Sequence, residues 1–257
     1  MPSPYSYSSL SLFSSCAHAY AHRYVWKTPV PDDAEVDLAM TCGSVVHSVL
    51  EWAHTQALEQ KPVSWEHLTT ALPETWSKAL AGEDVSKDAL SEYMQKSLDT
   101  TKWYFDTLFP TEKQATISVE KKFLYPLNIP RKQWLIGYVD RVSQPSEDKI
   151  VLHDYKTGSQ KMGVKALSKD FQAMLYGAMA AHTYQPLSEI ELQWHYLSHQ
   201  KTVKVKVNPD NVRDAVQKAQ SLANSVEAHK QMELFPAKVG WQCGRCNYQS
   251  VCTAYKK

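Results

Sequence analysis

The spacing of apolar residues predicts a helical first half of the chain. In each segment, apolar positions recur every three or four residues, as they do on one face of an α-helix. Ser8 or Ser9 is the expected N-cap of the first helix, and Gly82 separates the last two. The predicted helices span residues 5–26, 41–60, 64–81 and 86–109, and a polar loop spans residues 29–37.

After Pro110 the pattern changes to alternating and continuous apolar runs, which are typical of β-strands. The QPSED segment reads as a turn, so the strands on either side of it form a hairpin. The predicted strands span residues 115–124, 133–143, 149–156, 189–199 and 201–207, with helices at 168–184 and 209–230. We therefore expect an α/β (mixed α+β) fold in a single domain of residues 1–257, with a helical lobe at 41–110 and a core at 111–230.

Composition narrows the class of protein. The 257 residues are 43% hydrophobic and 21% charged, which is ordinary for a soluble globular chain. No apolar run approaches the ~18 residues of a membrane span, and no basic segment leads into an apolar stretch near the N-terminus. These observations predict a cytoplasmic protein with no membrane partner.

The formal net charge of +1 does not by itself suggest a nucleic-acid partner, but the charge is unevenly distributed. Residues 1–110 carry a net charge of −7, whereas residues 111–257 carry +8. The basic half could face phosphate groups. The alternative is a solvated acidic helical layer beside a mildly basic sheet.

The predicted hairpin carries two carboxylates and a lysine. If the turn centres on Glu147, Asp140 lies directly opposite Asp154, with Cβ atoms roughly 4.5–5.5 Å apart. Two carboxylates this close repel each other unless a positive charge lies between them, and Mg²⁺ or Mn²⁺ prefers such oxygen ligands. Lys156 shares a face with Asp154 and could stabilise charge at a phosphate. The alternative is a salt-bridge cluster on a solvated hairpin.

Two helices carry polar residues at intervals of four, which places them on one helix face. Gly43, His47 and Glu51 form such a stripe on the second helix, and Gln172 and Tyr176 form another on the helix after the hairpin. Alone, such a histidine is more often structural than a ligand, and the other pair is simply a polar helix edge.

The cysteines suggest a metal centre. Cys243, Cys246 and Cys252 form a C-x2-C-x5-C pattern, and thiolates this close commonly bind a metal ion or cluster. A fourth ligand is needed, and the candidates are Cys16 and Cys42. Structural zinc sites usually combine two C-x2-C pairs, of which only one is present, but zinc remains an alternative.

Taken in order, the motifs of residues 43–176 resemble the RecB-like branch of the PD-(D/E)XK nuclease superfamily. They are G-x-x-x-H-x-x-x-E on a helix, then G-Y-V-D-R-V, D-Y-K-T-G and Q-x-x-x-Y. Val139 replaces the proline that gives the superfamily its name, and Asp154 is one of the two acids allowed at its position. The resemblance implies a restriction-endonuclease-like core sheet flanked by helices.

The resemblance also implies roles for individual residues. Lys156 would be the catalytic lysine, and Gln172 and Tyr176 would contact DNA or support the site. Glu51 and Glu120 are further acidic candidates. The implied metal ligands are His47, Asp140, Asp154 and the carbonyl of Tyr155, binding Mn²⁺ or Mg²⁺.

A distant cysteine combined with a C-terminal C-x2-C-x5-C resembles the iron–sulfur clamp of AddB-type nucleases and of the CRISPR-associated single-strand exonucleases. Ala17 follows Cys16 where that pattern often has proline. The resemblance implies a [4Fe–4S] cluster that joins residues 1–30 to residues 231–257. Its ligands would be Cys16, Cys243, Cys246 and Cys252.

The expected function is metal-dependent DNA hydrolysis, most simply by an exonuclease on single-stranded DNA, with 5′→3′ polarity allowed. The expected process is CRISPR adaptation, recombination or repair, or phage DNA processing, with a helicase or CRISPR integration proteins as partners. The alternative is a catalytically silent iron–sulfur or zinc protein that binds DNA as one member of a larger complex. Candidate DNA contacts are the aromatic residues Trp134, Tyr138, Tyr155 and Tyr176 and the lysines Lys201, Lys204 and Lys206. The alternatives are core packing for the aromatic residues and the solvated face of an edge strand for the lysines.

Overall fold

The structure is a computed structural model that describes residues 4–30, 36–185 and 189–255. Part of the predicted polar loop (31–35) and the outermost residues of the predicted clamp (1–3 and 256–257) lie outside the described residues. The chain forms two compact units. Unit 1 comprises Met1–Glu35, Leu124–Gly137 and Val212–Lys257, and unit 2 comprises Val36–Phe123 and Tyr138–Asn211.

Six strands form one mixed sheet in the order β1-β3-β4-β5-β6, with β2 paired to β3. Strands β3 and β4 are antiparallel, β4 and β5 are parallel, and β5 and β6 are antiparallel. β4 has a neighbour on both sides and is buried along most of its length, which explains its run of apolar residues. The strands are β1 Tyr5–Ser6, β2 Thr116–Asn128, β3 Gln133–Ser146, β4 Lys149–Lys156, β5 Glu189–Tyr196 and β6 Lys201–Lys206.

Helices flank this sheet, and several begin at a capping side chain. Asp37 caps α3, Ser64 caps α4 and Asp170 caps α8, each through its side-chain oxygen. The α-helices of the described residues are α1 Tyr7–Ser15, α2 Ala17–Tyr20, α3 Leu38–Leu58, α4 Trp65–Ala79, α5 Lys87–Thr107, α6 Phe109–Glu112, α7 Val164–Leu167, α8 Phe171–Thr183 and α9 Pro209–Met232.

The predicted helix over residues 5–26 is not continuous. It starts after β1 with Ser6 as its N-cap, rather than Ser8 or Ser9, and Cys16 interrupts it in an extended conformation (φ −157°, ψ 111°). A second helical segment follows as α2, and a π-helical turn covers Ala21–Val25. The break lies at a predicted cluster ligand.

In unit 2, the helical part packs α3 against α4 and α5. Its apolar core includes Val46 and Leu50 of α3 and Trp76 of α4, and it reaches Tyr155 of β4. The prediction of a mixed α/β fold with a core sheet flanked by helices is confirmed. Among the helices of the described segments, none combines the length and apolar character that a membrane crossing requires.

Candidate functional site

Strands β3 and β4 bring the two predicted carboxylates opposite each other. Arg141 pairs with His153 in this antiparallel ladder, so the next residues along, Asp140 and Asp154, face each other as predicted. Cross-strand neighbours lie on the same face of a sheet. Lys156 lies on that face too, because side chains two residues apart along a strand point the same way.

The Asp140 carboxylate contacts the backbone of Tyr155 and the side chain of His47. Its Oδ2 accepts a hydrogen bond from the Tyr155 backbone N–H at 2.6 Å, and its Oδ1 lies 3.3 Å from His47 Nδ1. The other ring nitrogen of His47, Nε2, donates to the Tyr155 carbonyl oxygen at 2.8 Å. The imidazole of His47 thus lies between two of the oxygens that the sequence predicts as metal ligands.

The electrostatics of this site favour a positive charge. Burial would lower the pKa of His47, but the hydrogen bond and charge of Asp140, the charge of Asp154 and the Tyr155 carbonyl outweigh burial and raise that pKa to about 9. A histidine must be neutral to bind a metal. Binding of a divalent cation by His47 would require the loss of this proton and would place two positive charges where there was one.

Asp154 is the most buried of the predicted side-chain ligands, with 5% of its surface exposed. Burial raises the pKa of Asp154 to about 6, in opposition to the positive charge of Lys156 and with the help of the negative charge of Asp140. Its Oδ2 lies 2.7 Å from Lys156 Nζ. Oδ2 thus forms an ion pair with the lysine. This oxygen keeps a lone pair for a cation.

Gln172 and Tyr176 extend the site from α8. Lys156 Nζ donates to Gln172 Oε1 at 3.1 Å, and Gln172 Nε2 lies 3.4 Å from Asp154 Oδ1. The same amide donates to the Tyr176 hydroxyl at 3.0 Å. Gln172 therefore links the lysine to the buried aspartate, and Tyr176 holds Gln172.

Trp194 of β5 was not singled out from the sequence, yet it contacts the predicted catalytic lysine. Lys156 Nζ lies 4.4 Å from the centre of the Trp194 ring, a distance at which the ring face attracts an ammonium. Trp194 pairs with Asp154 in the parallel ladder. The sequence contains no local signal for this contact, because the two strands are separated by a loop and two helices.

The two further acidic candidates differ in position. Burial raises the pKa of Glu120, and the negative charges of Asp140 and Glu51 raise it further, so Glu120 lies within electrostatic reach of the site. Its backbone has φ 44°, in the left-handed region that a non-glycine residue within a strand rarely adopts. Glu51 is exposed on α3.

The donor set fits a hard divalent cation. The Asp140 carboxylate and the Tyr155 carbonyl both contact the His47 imidazole, and Asp154 faces Asp140 across the two strands. Mg²⁺ and Mn²⁺ prefer such oxygen ligands. The raised pKa of His47 and the lone pair of Asp154 Oδ2 support the same assignment.

The four predicted cluster cysteines all belong to unit 1 and lie near one another. Burial raises the pKa of Cys246, and the charges of Cys16, Cys252 and Cys243 raise it further. Backbone amides donate to two of the sulfurs: Lys238 N–H to Cys16 Sγ and Gly240 N–H to Cys243 Sγ, both at 3.4 Å. Such hydrogen bonds are typical of cluster ligands.

Cys42 does not belong to this group. It lies in the core of unit 2, where its thiol approaches the Tyr93 carbonyl oxygen at 3.6 Å. Burial raises the pKa of Cys42. A buried thiol of this kind behaves as a small apolar side chain.

Within the described parts of the chain, one group of potential ligand atoms lies close together: those of Glu112, His153 and His195 lie within 4.8 Å of one another.

The Glu112, His153 and His195 group already contains a cation. Arg141, which the sequence analysis did not single out, donates through Nη2 to Glu112 Oε2 and lies 2.7 Å from His153 Nδ1. The guanidinium therefore occupies the position between the potential ligands. Side chains alternate between the two faces of a strand, so Arg141 lies on the face opposite Asp140. This alternation could have placed Arg141 on the inner face of the sheet.

The predicted DNA-contacting side chains divide by exposure. Tyr155 and Tyr176 are buried, whereas Trp134 and Tyr138 are 36% and 50% exposed. The three lysines are exposed on β6, at the end of the strand order.

Comparisons with known proteins find similarity to nucleases. A family model described as the PD-(D/E)XK nuclease superfamily matches residues 4–253. The chain is 23% identical over 209 residues to one component of the ATP-dependent helicase/deoxyribonuclease of Streptococcus agalactiae, in serotypes Ia, V and III. These alignments cover 74% of this chain and 19% of each relative, so the chain spans about a fifth of the length of the curated relatives it matches.

A crystal structure of a provisionally assigned exonuclease from Eubacterium rectale shares the fold. It superposes with a TM-score of 0.58 at 12% sequence identity, over 99% of this chain and 90% of that chain.

Proposed function

The chain belongs to the PD-(D/E)XK nuclease superfamily, and we propose that it is a metal-dependent deoxyribonuclease. The observation that carries this proposal is the convergence of Asp140, Asp154 and Lys156 on one face of the sheet, with His47 against the first of them. Nucleases of this superfamily use divalent metals. A catalytically silent relative would be expected to lack part of this set, and here all four side chains are present.

The proposed ligands of Mn²⁺ or Mg²⁺ are His47, Asp140, Asp154 and the Tyr155 carbonyl. When bound, the ion would lower the pKa of a water molecule and polarise a phosphoryl oxygen. Lys156 adds a positive charge that stabilises the negative charge developing on the phosphate. Gln172 keeps this ammonium beside Asp154, and Tyr176 fixes the orientation of the Gln172 amide.

We propose single-stranded DNA ends as the substrate. The exposed rings of Trp134 and Tyr138 can stack on unpaired bases, and the lysines of β6 can contact phosphates. The exonuclease assignment of the structural neighbour supports an end-directed activity. The helicase/deoxyribonuclease relatives support a helicase partner. The process that we propose, from the sequence resemblance, is recombination or repair, CRISPR adaptation or phage DNA processing.

The experiment is a cleavage assay with anaerobically purified protein and Mn²⁺ on 5′-blocked, 3′-blocked and circular single strands. A 5′→3′ exonuclease is expected to degrade only the 3′-blocked linear strand. Lys156→Ala should reduce the rate by at least about 10²–10³-fold, because the charge beside the phosphate is lost. Wild-type rates in Lys156→Ala would contradict the proposed mechanism, and cleavage of the circle would contradict exonuclease activity.

We also propose that Cys16, Cys243, Cys246 and Cys252 bind a [4Fe–4S] cluster. The cluster would connect the N-terminal helices to the C-terminal segment of unit 1, and closing so long a loop reduces the entropy of the unfolded chain. Cys243→Ala should lose iron and melt at a lower temperature, whereas Cys42→Ala should retain its iron. Zinc in place of iron in the anaerobic protein would contradict the cluster.

A further inference from the structure

The face of the sheet opposite the proposed metal ligands carries a buried hydrogen-bonded group that we call the Arg141 network. Arg141 itself is completely buried, and its guanidinium contacts side chains from one helix and two other strands. The members of the network are Arg141, Glu112, Thr116, His153, His195, Tyr155, Tyr104 and His54.

The donors of Arg141 point to a specific set of acceptors. Nε donates to the Tyr155 hydroxyl at 3.1 Å, Nη1 donates to Thr116 Oγ1 at 3.1 Å, and Nη2 donates to the Glu112 carboxylate. A buried guanidinium is stable only when its charge is paired and its donors are satisfied. Glu112 supplies the opposite charge, and the remaining contacts fix the orientation of the guanidinium plane.

The histidines of the network act as neutral partners. His153 Nδ1 lies 2.7 Å from Arg141 Nη2, so this nitrogen accepts, and its Nε2 donates to Ser143 Oγ at 2.8 Å. His195 Nε2 lies 2.9 Å from the same His153 nitrogen. The network is thus saturated by its own groups and leaves no position for a second metal ion.

Tyr155 connects this network to the proposed metal site. Its hydroxyl lies in the network, 3.1 Å from Arg141 Nε and 2.9 Å from the Tyr104 hydroxyl. On the other side of the sheet, its backbone N–H holds Asp140 at 2.6 Å and its carbonyl accepts from His47 at 2.8 Å. The last ladder pair of β3 and β4 at this end is Arg141–His153, so the Tyr155 amide is held by a side chain.

We propose that Arg141 and the Tyr155 hydroxyl are positioning residues for metal binding, which act from the far face of the sheet through the Tyr155 backbone. The inference rests on the proposed function, because it requires His47, Asp140 and the Tyr155 carbonyl to bind the metal. Partners outside the immediate ligands commonly change metal affinity by about 10–100-fold when removed.

The test compares Tyr155→Phe with Tyr104→Phe, which remove one hydroxyl each from the same network. Mn²⁺ binding is measured without DNA, by electron paramagnetic resonance of the free ion, at a temperature at which thermal melting shows both variants to be folded. Tyr155→Phe is expected to raise the Mn²⁺ dissociation constant about tenfold. Tyr104→Phe keeps the Arg141–Tyr155 hydrogen bond and is expected to stay within about twofold of wild type while it loses comparable thermal stability.

A second variant, Arg141→Lys, keeps the charge but not the planar set of donors, and it should weaken Mn²⁺ binding at least as much as Tyr155→Phe. If wild type binds Mn²⁺ and Tyr155→Phe binds it equally well, the positioning role is wrong while the proposed function stands. Equal losses of Mn²⁺ affinity in Tyr155→Phe and Tyr104→Phe would also overturn the positioning role, because they would show a general effect of destabilisation. No Mn²⁺ binding by wild type would overturn the proposed function and this inference together.

Discussion

The two faces of the sheet at β3 and β4 place histidines in opposite electrostatic surroundings. On the proposed metal-binding face, burial would lower the pKa of His47, yet nearby carboxylates raise it to about 9. On the opposite face, burial and the charge of Arg141 lower the pKa of His54 to about 2 and hold the pKa values of His153 and His195 well below the ordinary range.

The difference shows that burial alone does not decide the charge of a histidine. Burial lowers the pKa on both faces, and the sign of the neighbouring charge decides the outcome. His47 faces Asp140 and Asp154, an excess of negative charge that suits an added cation. The opposite face contains its own cation in Arg141, so its histidines remain neutral, and His153 Nδ1 accepts from the guanidinium.

The largest effect is expected from Asp140→Asn, which removes the negative charge of Asp140 from the proposed metal-binding face. The amide oxygen can still accept from the Tyr155 N–H, so the local fold is retained. Cleavage should fall by at least about 10²–10³-fold, and the pKa of His47 should fall from about 9 towards the ordinary 6.5. Cleavage rates and the NMR titration of His47 measure both. An unchanged titration would show that Asp140 is not the cause of the raised pKa.

The next effect concerns the cation of the opposite face. Arg141→Met leaves Glu112 buried without its partner, which should cost about 3–5 kcal/mol of unfolding free energy in urea titrations. The ligand atoms of Glu112, His153 and His195, which lie within 4.8 Å of one another, would then be accessible to Zn²⁺. Zn²⁺ should therefore restore about 2–3 kcal/mol at about 100-fold excess over its dissociation constant.

The control for this zinc effect is the double variant Arg141→Met/His195→Gln, which lacks one of the ligands. It should be destabilised and show no recovery with Zn²⁺. Recovery in the double variant would mean that zinc binds elsewhere, and a fully stable Arg141→Met would mean that the buried ion pair is dispensable.

Local patterns predicted much of this molecule, because the features concerned lie close together in sequence. The alternation along 133–143 and 149–156 and the turn between them predicted Asp140 opposite Asp154. The turn pair is Ser146–Lys149 rather than a turn centred on Glu147, and a register shift between Ser143 and Ser146 produces the predicted alignment at Arg141–His153. The same regularity predicted α4 and α5 within two residues at each end. These elements depend on spacing within a single helix or hairpin.

The rest depends on residues that are distant in sequence. The Arg141 network joins Glu112, Tyr104 and His195, which lie on a helix end, another helix and a non-neighbouring strand. No window along the chain contains them all. The break at Cys16 was missed for another reason: the segment has neither glycine nor proline, and the extended residue aligns its sulfur with the Lys238 amide, 222 residues away.

Stability should depend on pH with opposite signs on the two faces. His54, His153 and His195 have lowered pKa values in the folded state, so the unfolded chain binds more protons below about pH 6.5 and stability falls as the pH decreases. The stabilising contribution of His47 is fully present below about pH 6.5, and it is lost as the pH rises through about 9. Each buried imidazole should lower the unfolding free energy by about 1 kcal/mol as the pH falls from about 7 to 5.5.

The measurement is the unfolding free energy of wild type and His54→Gln from about pH 7 to 5.5. The raised pKa of Asp154, about 6, acts in the opposite direction, but it is common to both proteins and cancels in their difference. The unfolding free energy of His54→Gln should fall less steeply with decreasing pH than that of wild type, by about 1 kcal/mol per pH unit near pH 5.5. Parallel curves would show that the pKa of His54 is the same in the folded and the unfolded chain.

The smallest effect should come from the contact that brings α3 against the metal-binding face. A Cβ atom at position 43 would lie 2.8 Å from Thr157 Oγ1, so Gly43→Ala must shift Thr157 or the helix that carries His47 one turn further on. Mn²⁺ binding should weaken by up to about tenfold, the lower end of the range for changes outside the ligands. Gly177→Ala is the matched control, because Gly177 lies on α8, which carries no proposed metal ligand, and its Cβ would lie 2.9 Å from Val207 Cγ1. The control should lose about 1–3 kcal/mol of stability to overpacking and keep its Mn²⁺ affinity. Equal Mn²⁺ affinity in both variants would show that Thr157 absorbs the clash and that the position of α3 does not limit metal binding.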